Sequence, residues 1–281
     1  MVSKLEILQR FYQIYIDQES DYFTYQNNNY YFCRINNFTN NYSYYIHSLN
    51  LAGFTVVNNC FDRPITMDHI LYIYQIEPYT LDMFIRRSMI PIPSTIEVIK
   101  IKESWCKILD EAKCKIGNYA SRISHFEHFV VLSYYYQGLG ECAISILNQI
   151  KSIKLPAGIE HFYLEDNYET LCCPSNFVIA SRIKDLTTGY KNNLIMINEL
   201  EEYINSANLT NDELVYLYAR LLFPGEFMQL AINDDCNDNL IKAKLLKIYQ
   251  NIDNEKEMLN QAYQLLSKYT YIPKIACFKY S

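Results

Sequence analysis

The chain has 281 residues, of which 50% are hydrophobic and 20% are charged, a balance typical of globular rather than disordered proteins. Its net charge of −6 at pH 7 and its lack of a basic stripe disfavour non-specific binding to nucleic acid. No segment approaches about 18 consecutive apolar residues, so no membrane interaction is expected, and nine cysteines without CxxC spacing predict free thiols rather than a zinc site. We therefore expect a soluble, cytoplasmic protein in a reducing compartment.

The first 90 residues predict a mixed α/β region. Apolar residues at helical spacing predict an opening helix from Leu5 to Tyr15. Two strand patterns, 21–25 and 30–35, flank Asn27-Asn28-Asn29, and because Asn tolerates the left-handed conformation this arrangement predicts a hairpin turn at the three asparagines. The remaining predicted elements of this region are a helix over 42–51 and strands over 54–57 and 70–76.

Helical periodicity dominates from Ser94 onward. Ser94 and Glu97 have the spacing of a capping box, which predicts a helix that begins there. Trp105, the only tryptophan, lies in this helix and is predicted to belong to the core. The predicted helices cover 94–117, 122–151, 193–206, 210–222, 238–249 and 254–268, with one β-like island over 158–180. Prolines within 88–95 favour a boundary between two domains, 1–90 and 91–281.

The segment 158–186, GIEHFYLEDNYETLCCPSNFVIASRIKDL, has the layout of a phosphotransferase catalytic segment. A histidine, His161, follows a short apolar run. A polar loop and the strand-like NFVIA come next, and Asp185 then stands at the opening of a helix. Phosphoryl transfer depends on a few positioned groups, above all carboxylates that hold Mg²⁺ and orient the acceptor hydroxyl.

Four stretches, in this order along the chain, carry a resemblance to a known family. They are LNLAGFTVVNN (49–59), LYIYQIEPYTL (71–81), LSYYYQGLGECAISIL (132–147) and RLLFPGEFMQL (220–230). With them, the sequence resembles the aminoglycoside-phosphotransferase-like kinases over roughly 20–275, in particular the spore-coat-associated CotS-type branch of spore-forming Firmicutes. The resemblance implies an α+β, protein-kinase-like two-lobed fold, with a small mixed α/β N-terminal lobe and a mainly helical C-terminal lobe.

The same resemblance implies that two catalytic positions are degenerate. The catalytic loop of these kinases opens His-Gly-Asp, and the matching run here is His161-Phe162-Tyr163, so a tyrosine stands where the catalytic aspartate is expected. A tyrosine phenol, with a reference pKa of about 10, is a poor base at neutral pH. The metal-binding aspartate is matched by Ala180 or Ser181, and neither side chain can hold Mg²⁺ as an ionised carboxylate does.

Other positions of the family pattern are kept or replaced. Asp185 matches an aspartate that supports the catalytic loop through hydrogen bonds, although a carboxylate also suits a helix N-terminus without any such role. Arg34 stands on the strand where the family lysine is expected, and it is either a phosphate ligand or a solvated strand charge. Glu77 and Tyr79, at the matched hinge, complete the candidates for cofactor binding.

The resulting hypothesis is a catalytically impaired kinase-like protein, a pseudokinase. It would act with protein partners as an interaction or scaffold module in spore-coat formation, with no cofactor and no metal. The alternative is an ATP-dependent small-molecule phosphotransferase with Mg²⁺, in which Glu165 or Asp166 replaces the missing carboxylates. Two solvated loop acids are the simpler interpretation, because adjacent side chains seldom converge on one point.

Overall fold

The computed structural model describes residues 2–34, 46, 55–67, 69–74, 81–122, 128–167, 170–171, 176–232 and 238–275. The helix predicted over 42–51 therefore lies outside the described residues, apart from Ile46. The chain divides into two compact units, Met1–Pro93 with Ala157–Asp185, and Ser94–Pro156 with Leu186–Ser281.

An antiparallel sheet forms the centre of the first unit. Its strands are β1 (Tyr22–Tyr25), β2 (Asn28–Arg34), β3 (Thr55–Val56), β4 (Ile65–Thr66) and β5 (His69–Tyr74). Strand β2 pairs with β1 and β5, while β3 and β4 also pair with β5. Side chains alternate along β2, so Tyr30 and Phe32 join a buried cluster with Leu8 and Leu71, whereas Tyr31 stacks on Tyr22 with ring centroids 4.2 Å apart.

The hairpin turn differs from the prediction. Gln26 and Asn27 are the two turn residues, with φ of 47° and 65°, and Asn28 and Asn29 belong to β2. The prediction placed all three asparagines in the turn and was wrong, because a two-residue hairpin turn needs positive φ at only two positions. Aromatic pairs across the strands, Phe23 with Tyr30 and Tyr22 with Tyr31, accompany the observed register.

The opening helix is shorter than predicted. Helix α1 covers Lys4–Ile7 and continues as a π-helical turn, Leu8–Tyr12. It ends at Gln13, whose φ is 56°, and the chain then turns so that Ile14 packs in the same buried cluster as Leu8. The prediction extended this helix to Tyr15 because periodicity alone does not show where tertiary packing reverses the chain.

Helix α2 (Leu81–Ser88) lies in the first unit, and the second unit is mainly helical. The elements that follow are β6 (Thr95–Glu97), α3 (Val98–Arg122), α4 (Phe129–Leu147), β7 (Lys154–His161), β8 (Phe177–Ser181), α5 (Lys184–Lys191), α6 (Ile197–Ala207), α7 (Asn211–Leu222), α8 (Gly225–Ile232) and α9 (Asp238–Leu266). Trp105 is buried in α3, as predicted, and stacks on Phe223 with centroids 4.4 Å apart.

Within the described ranges, every helix is too short or too polar to span a lipid bilayer.

Two helix predictions were wrong in ways that have a physical reason. Ser94 does not cap a helix, because Thr95–Glu97 pair with Lys154–Pro156 as β6, so α3 begins only at Val98. The helices predicted over 238–249 and 254–268 are the single helix α9, since the residues between them include no glycine or proline to interrupt it.

Helix α7 begins as the sequence predicts, and its N-terminus allows a first test. The Thr210 hydroxyl accepts the backbone N–H of Glu213, and the buried Glu213 carboxylate accepts the Thr210 N–H. Replacing Thr210 by alanine removes one of these hydrogen bonds and should lower the free energy of unfolding by about 1 kcal/mol in urea denaturation. Ser206→Ala, at an exposed position near the end of α6, is the matched control and should change it by less than about 0.5 kcal/mol.

Candidate functional site

The segment 158–186 is built on two antiparallel strands of the first unit. In the predicted β-like island, β7 pairs with β8 so that Gly158 lies opposite Ala180 and His161 opposite Phe177. A methyl group on Gly158 would come within 2.1 Å of the Ser88 carbonyl oxygen and 2.9 Å of the Arg182 Cα. Glycine is therefore the residue that lets β7 approach the end of α2 this closely.

His161 ends β7 and is enclosed on all sides. Its side chain is 1% exposed, and its ring makes edge contacts with Phe84 and Phe177 at centroid distances of 5.4 and 5.1 Å. The Nδ1 atom lies 2.5 Å from Asp185 Oδ2, and Nε2 lies 2.9 Å from the carbonyl oxygen of Leu171. Each ring nitrogen of His161 therefore faces an oxygen atom, which fixes the orientation of the ring.

Asp185 connects this histidine to the start of α5. Its carboxylate is fully buried and also accepts the backbone N–H of His161, at 2.9 Å to Oδ1 and 3.1 Å to Oδ2. The N–H of Asp185 itself donates to the buried Glu160 carboxylate at 2.6 Å, while Lys184 Nζ donates to the His161 carbonyl oxygen. The carboxylates of Glu160 and Asp185, the imidazole ring of His161 and the half-buried ammonium group of Lys184 thus meet in one cluster, which we call the His161–Asp185 network.

The loop after His161 presents aromatic side chains to solvent. Phe162 is 60% exposed and Tyr163 is 68% exposed, and their rings meet edge to face at 4.6 Å. Asn176 holds this loop closed: its Oδ1 accepts the Tyr163 N–H at 2.8 Å, and its Nδ2 donates to the carbonyl oxygens of Tyr163 and Thr170. The structure places a phenol, not a carboxylate, at the position that follows the His161–Asp185 network.

Ala180 and Ser181 close strand β8. Ala180 is half-buried, whereas Ser181 is buried, and its hydroxyl has no hydrogen-bond partner among the described residues. Mg²⁺ prefers ionised carboxylates and keeps several waters. A methyl group and a buried hydroxyl do not fit this ion, and the carboxylate of Asp185, four positions after Ser181 in the sequence, accepts hydrogen bonds from His161 through both of its oxygens.

The two alternative acids lie on the exposed loop. Glu165 and Asp166 are both exposed, and the Glu165 carboxylate accepts a hydrogen bond from Asn167 Nδ2 at 2.7 Å. Asn167 Oδ1 in turn accepts the Thr170 N–H at 2.8 Å. Within the described ranges, no group of three or more His, Cys, Asp and Glu side chains forms a site that could hold a metal ion.

The remaining candidates come from the first 90 residues of the chain. Arg34 is exposed at the end of β2, opposite His69. Glu77 and Tyr79 lie outside the described residues. Sequence reasoning singled out His161 and Asp185, which the structure brings together, but it missed Glu160, Lys184 and Asn176. Their partners lie 6 to 25 positions away in the sequence, so no local pattern signals these contacts.

An antiparallel sheet in the N-terminal region, a mainly helical remainder and the β7–β8 pair between helical segments together define a kinase-like fold. A crystal structure of an aminoglycoside phosphotransferase from Alicyclobacillus acidocaldarius subsp. acidocaldarius DSM 446 is similar to it, with a TM-score of 0.65. The match covers 90% of this chain and 92% of that one, at 9% sequence identity, and at this identity it shows the fold alone. No family model and no curated protein matches the sequence.

Proposed function

We propose that this protein is a pseudokinase, a kinase-like protein that has lost phosphoryl transfer and acts as a protein-interaction or scaffold module. The observation that carries the proposal is the contrast within one segment. The buried His161–Asp185 network is complete, whereas Tyr163 and Ala180 or Ser181 stand at the positions that the sequence resemblance matches to the two working carboxylates.

The chemistry of these side chains supports the loss of activity. Orientation of an acceptor hydroxyl and coordination of Mg²⁺ both depend on carboxylates. Glu165 and Asp166 are exposed, and Glu165 hydrogen-bonds within its own loop. The exposed aromatic pair, Phe162 and Tyr163, supports a role in protein contact, since aromatic side chains are enriched where proteins bind one another. Spore-coat formation and a cytoplasmic or spore-associated location rest on the sequence resemblance to the CotS-type branch.

Nucleotide binding gives the test of this proposal. Thermal unfolding should be unchanged by ATP, with or without Mg²⁺, because a scaffold without the metal-binding carboxylates gains nothing from the nucleotide. A ligand at 100 times its dissociation constant would stabilise the protein by about 2.7 kcal/mol, which is a readily measured shift. Magnesium chloride without nucleotide is the control for ion effects, and an active aminoglycoside phosphotransferase is the positive control.

A companion measurement addresses the enzyme alternative directly. Release of ADP or phosphate should stay at the buffer rate for the wild-type chain. Mg²⁺-dependent stabilisation by ATP, together with turnover that Glu165→Gln or Asp166→Asn abolishes, would overturn the proposal. Asp253→Asn, at an exposed acid of α9, is the matched control for a change of one surface charge.

A further inference from the structure

A second feature of the molecule is a cavity of about 400 Å³ inside the second unit. Side chains of six helices line it, from α3, α4, α5, α7, α8 and α9, and none of its residues belongs to the segment 158–186. Its volume lies within the range of known small-molecule sites. The cavity is therefore large enough for a small metabolite and is not assigned by the proposed function.

Two cations line this cavity, and among the described residues neither is in ion-pair contact with a carboxylate. Lys191 Nζ donates to the carbonyl oxygen of Phe223 at 2.8 Å, and Arg220 Nε donates to Thr187 Oγ1 at 3.0 Å. Among the described residues, neither cation has a carboxylate oxygen within 4.0 Å. Burial lowers the pKa of Lys191 below its ordinary value, and the charge of Arg220 acts in the same direction. The charges of Glu255 and Glu226 act in the opposite direction but do not outweigh burial, so the protein alone does not fully compensate the charge of this ammonium group.

Two carboxylates face the same cavity. Glu255 accepts a hydrogen bond from the Tyr136 hydroxyl at 2.6 Å, and burial together with the Glu255 charge raises the pKa of that phenol, so it remains a donor at neutral pH. Glu226 is exposed where it lines the cavity and has no ion-pair partner in the part of the chain that the structure describes. The cavity thus contains charges of both signs, and in the described part of the chain none of these charges lies within 4.0 Å of an opposite one.

This charge pattern selects a class of ligand. A simple anion would be attracted to Lys191 and Arg220 but repelled by the two carboxylates, and a simple amine would meet the opposite problem. A molecule that carries both charges can satisfy both sets of groups at once, and each charge it brings removes part of the cost of enclosing the protein's own charges.

We propose that this cavity binds a small zwitterion of amino-acid size, with its carboxylate at Lys191 and Arg220 and its ammonium group at Glu255 and Glu226. Trp105 contributes an aromatic surface beside this site. Because it is the only tryptophan of the chain, its fluorescence reports on the cavity without labelling.

The experiment titrates the wild-type chain with each of the twenty free amino acids and follows Trp105 fluorescence and thermal stability. At least one amino acid should change both signals in a saturable way. Its carboxamide, which lacks the negative charge, and its desamino analogue, which lacks the positive charge, should each bind about tenfold or more weakly, since hydrogen bonds to charged groups have this magnitude.

Two cavity variants and one matched control complete the design. Lys191→Met and Glu255→Gln should each weaken binding about 10- to 100-fold. Lys113→Met removes a partly exposed lysine of α3 that pairs with Glu141 outside the cavity, and it should leave binding unchanged. Lys191→Met replaces an enclosed charge by an apolar side chain of similar length, and circular dichroism on all variants verifies that they are folded.

Several results would overturn the inference. It fails if no free amino acid changes the fluorescence of Trp105, if the carboxamide and desamino analogues bind as tightly as the zwitterion, or if Lys191→Met binds as the wild type does. Binding of inorganic phosphate alone would also overturn it, since that result would identify the cavity as a simple anion site. The ATP measurement tests the segment 158–186 and not the cavity. Its result therefore supports or contradicts the pseudokinase proposal independently of the zwitterion site.

Discussion

Replacing Asp185 by alanine is expected to lower the free energy of unfolding by about 3 to 5 kcal/mol, a large fraction of the stability of a typical protein domain. The carboxylate is fully buried and accepts both the backbone N–H and the Nδ1–H of His161. Its removal leaves the backbone N–H and the ring Nδ1 of His161 without this acceptor, and it leaves the ammonium group of Lys184 without the carboxylate oxygen that lies 3.9 Å away. Both the hydrogen bonds and the charge balance of the His161–Asp185 network are then lost.

Urea denaturation followed by circular dichroism measures this effect. Asp212→Ala is the matched control, because the Asp212 carboxylate also accepts hydrogen bonds from backbone N–H groups, those of Lys151 and Ser152, but lies near the surface. The Asp212→Ala variant should lower the free energy of unfolding by about 1 kcal/mol, the usual net contribution of a protein hydrogen bond. If Asp185→Ala does not fold, Asp185→Asn keeps one acceptor oxygen and should lie between the wild type and the alanine variant. Equal urea midpoints for Asp185→Ala and Asp212→Ala would contradict a special contribution from burial.

The elements that the sequence predicts well are those whose signals are local. The helical periodicity over 210–222 predicts α7, and the structure shows that Thr210 and Glu213, three residues apart, cap this helix at the predicted start. Strands β1, β2 and β5 follow from runs of aromatic and β-branched residues, and their existence is predicted although the turn between β1 and β2 is not placed correctly.

The predictions fail where a distant segment decides the outcome. Ser94 and Glu97 have the spacing of a helix cap, yet Thr95–Glu97 form a strand because Lys154–Pro156 offer hydrogen bonds from about 60 residues further along the chain. Local propensity cannot include that partner. The same limit applies to the site. In the sequence, Glu160 and Asn176 look like ordinary polar residues. Only the fold shows that Glu160 accepts the N–H of Asp185 and that Asn176 hydrogen-bonds the loop after His161.

The charged side chains of the cavity are a second case in which local sequence does not show which residues come together. Lys191, Arg220 and Glu255 lie on three different helices, and each has the sequence context of an ordinary surface charge. The pseudokinase hypothesis, in contrast, depends on residues that the sequence resemblance aligns. A comparison of sequence motifs can therefore lead to a hypothesis about activity, whereas the grouping of these charged side chains around one cavity becomes visible only when the packing of the helices is known.

Gly158→Ala should destabilise the protein by about 1 to 3 kcal/mol or more, although it adds only one methyl group. In β7 the added carbon would lie 2.1 Å from the Ser88 carbonyl oxygen and 2.9 Å from the Arg182 Cα, and both atoms belong to the backbone. A flexible side chain could rotate away from such a contact, but here α2 and the residues after β8 must themselves shift. The His161–Asp185 network starts two residues later on the same strand, so the shift should also disturb it.

Gly138→Ala provides a control with the opposite sign. Gly138 lies in the interior of α4, and a methyl group there would meet nothing within 4 Å, so the higher helix propensity of alanine should raise the free energy of unfolding by up to about 1 kcal/mol. Urea denaturation of both variants, with one-dimensional proton NMR to detect shifted methyl and aromatic signals, makes the comparison. A Gly158→Ala variant as stable as the wild type would show that β7 does not approach α2 as closely as the structure has it, and the geometry of the candidate site would have to be revised with it.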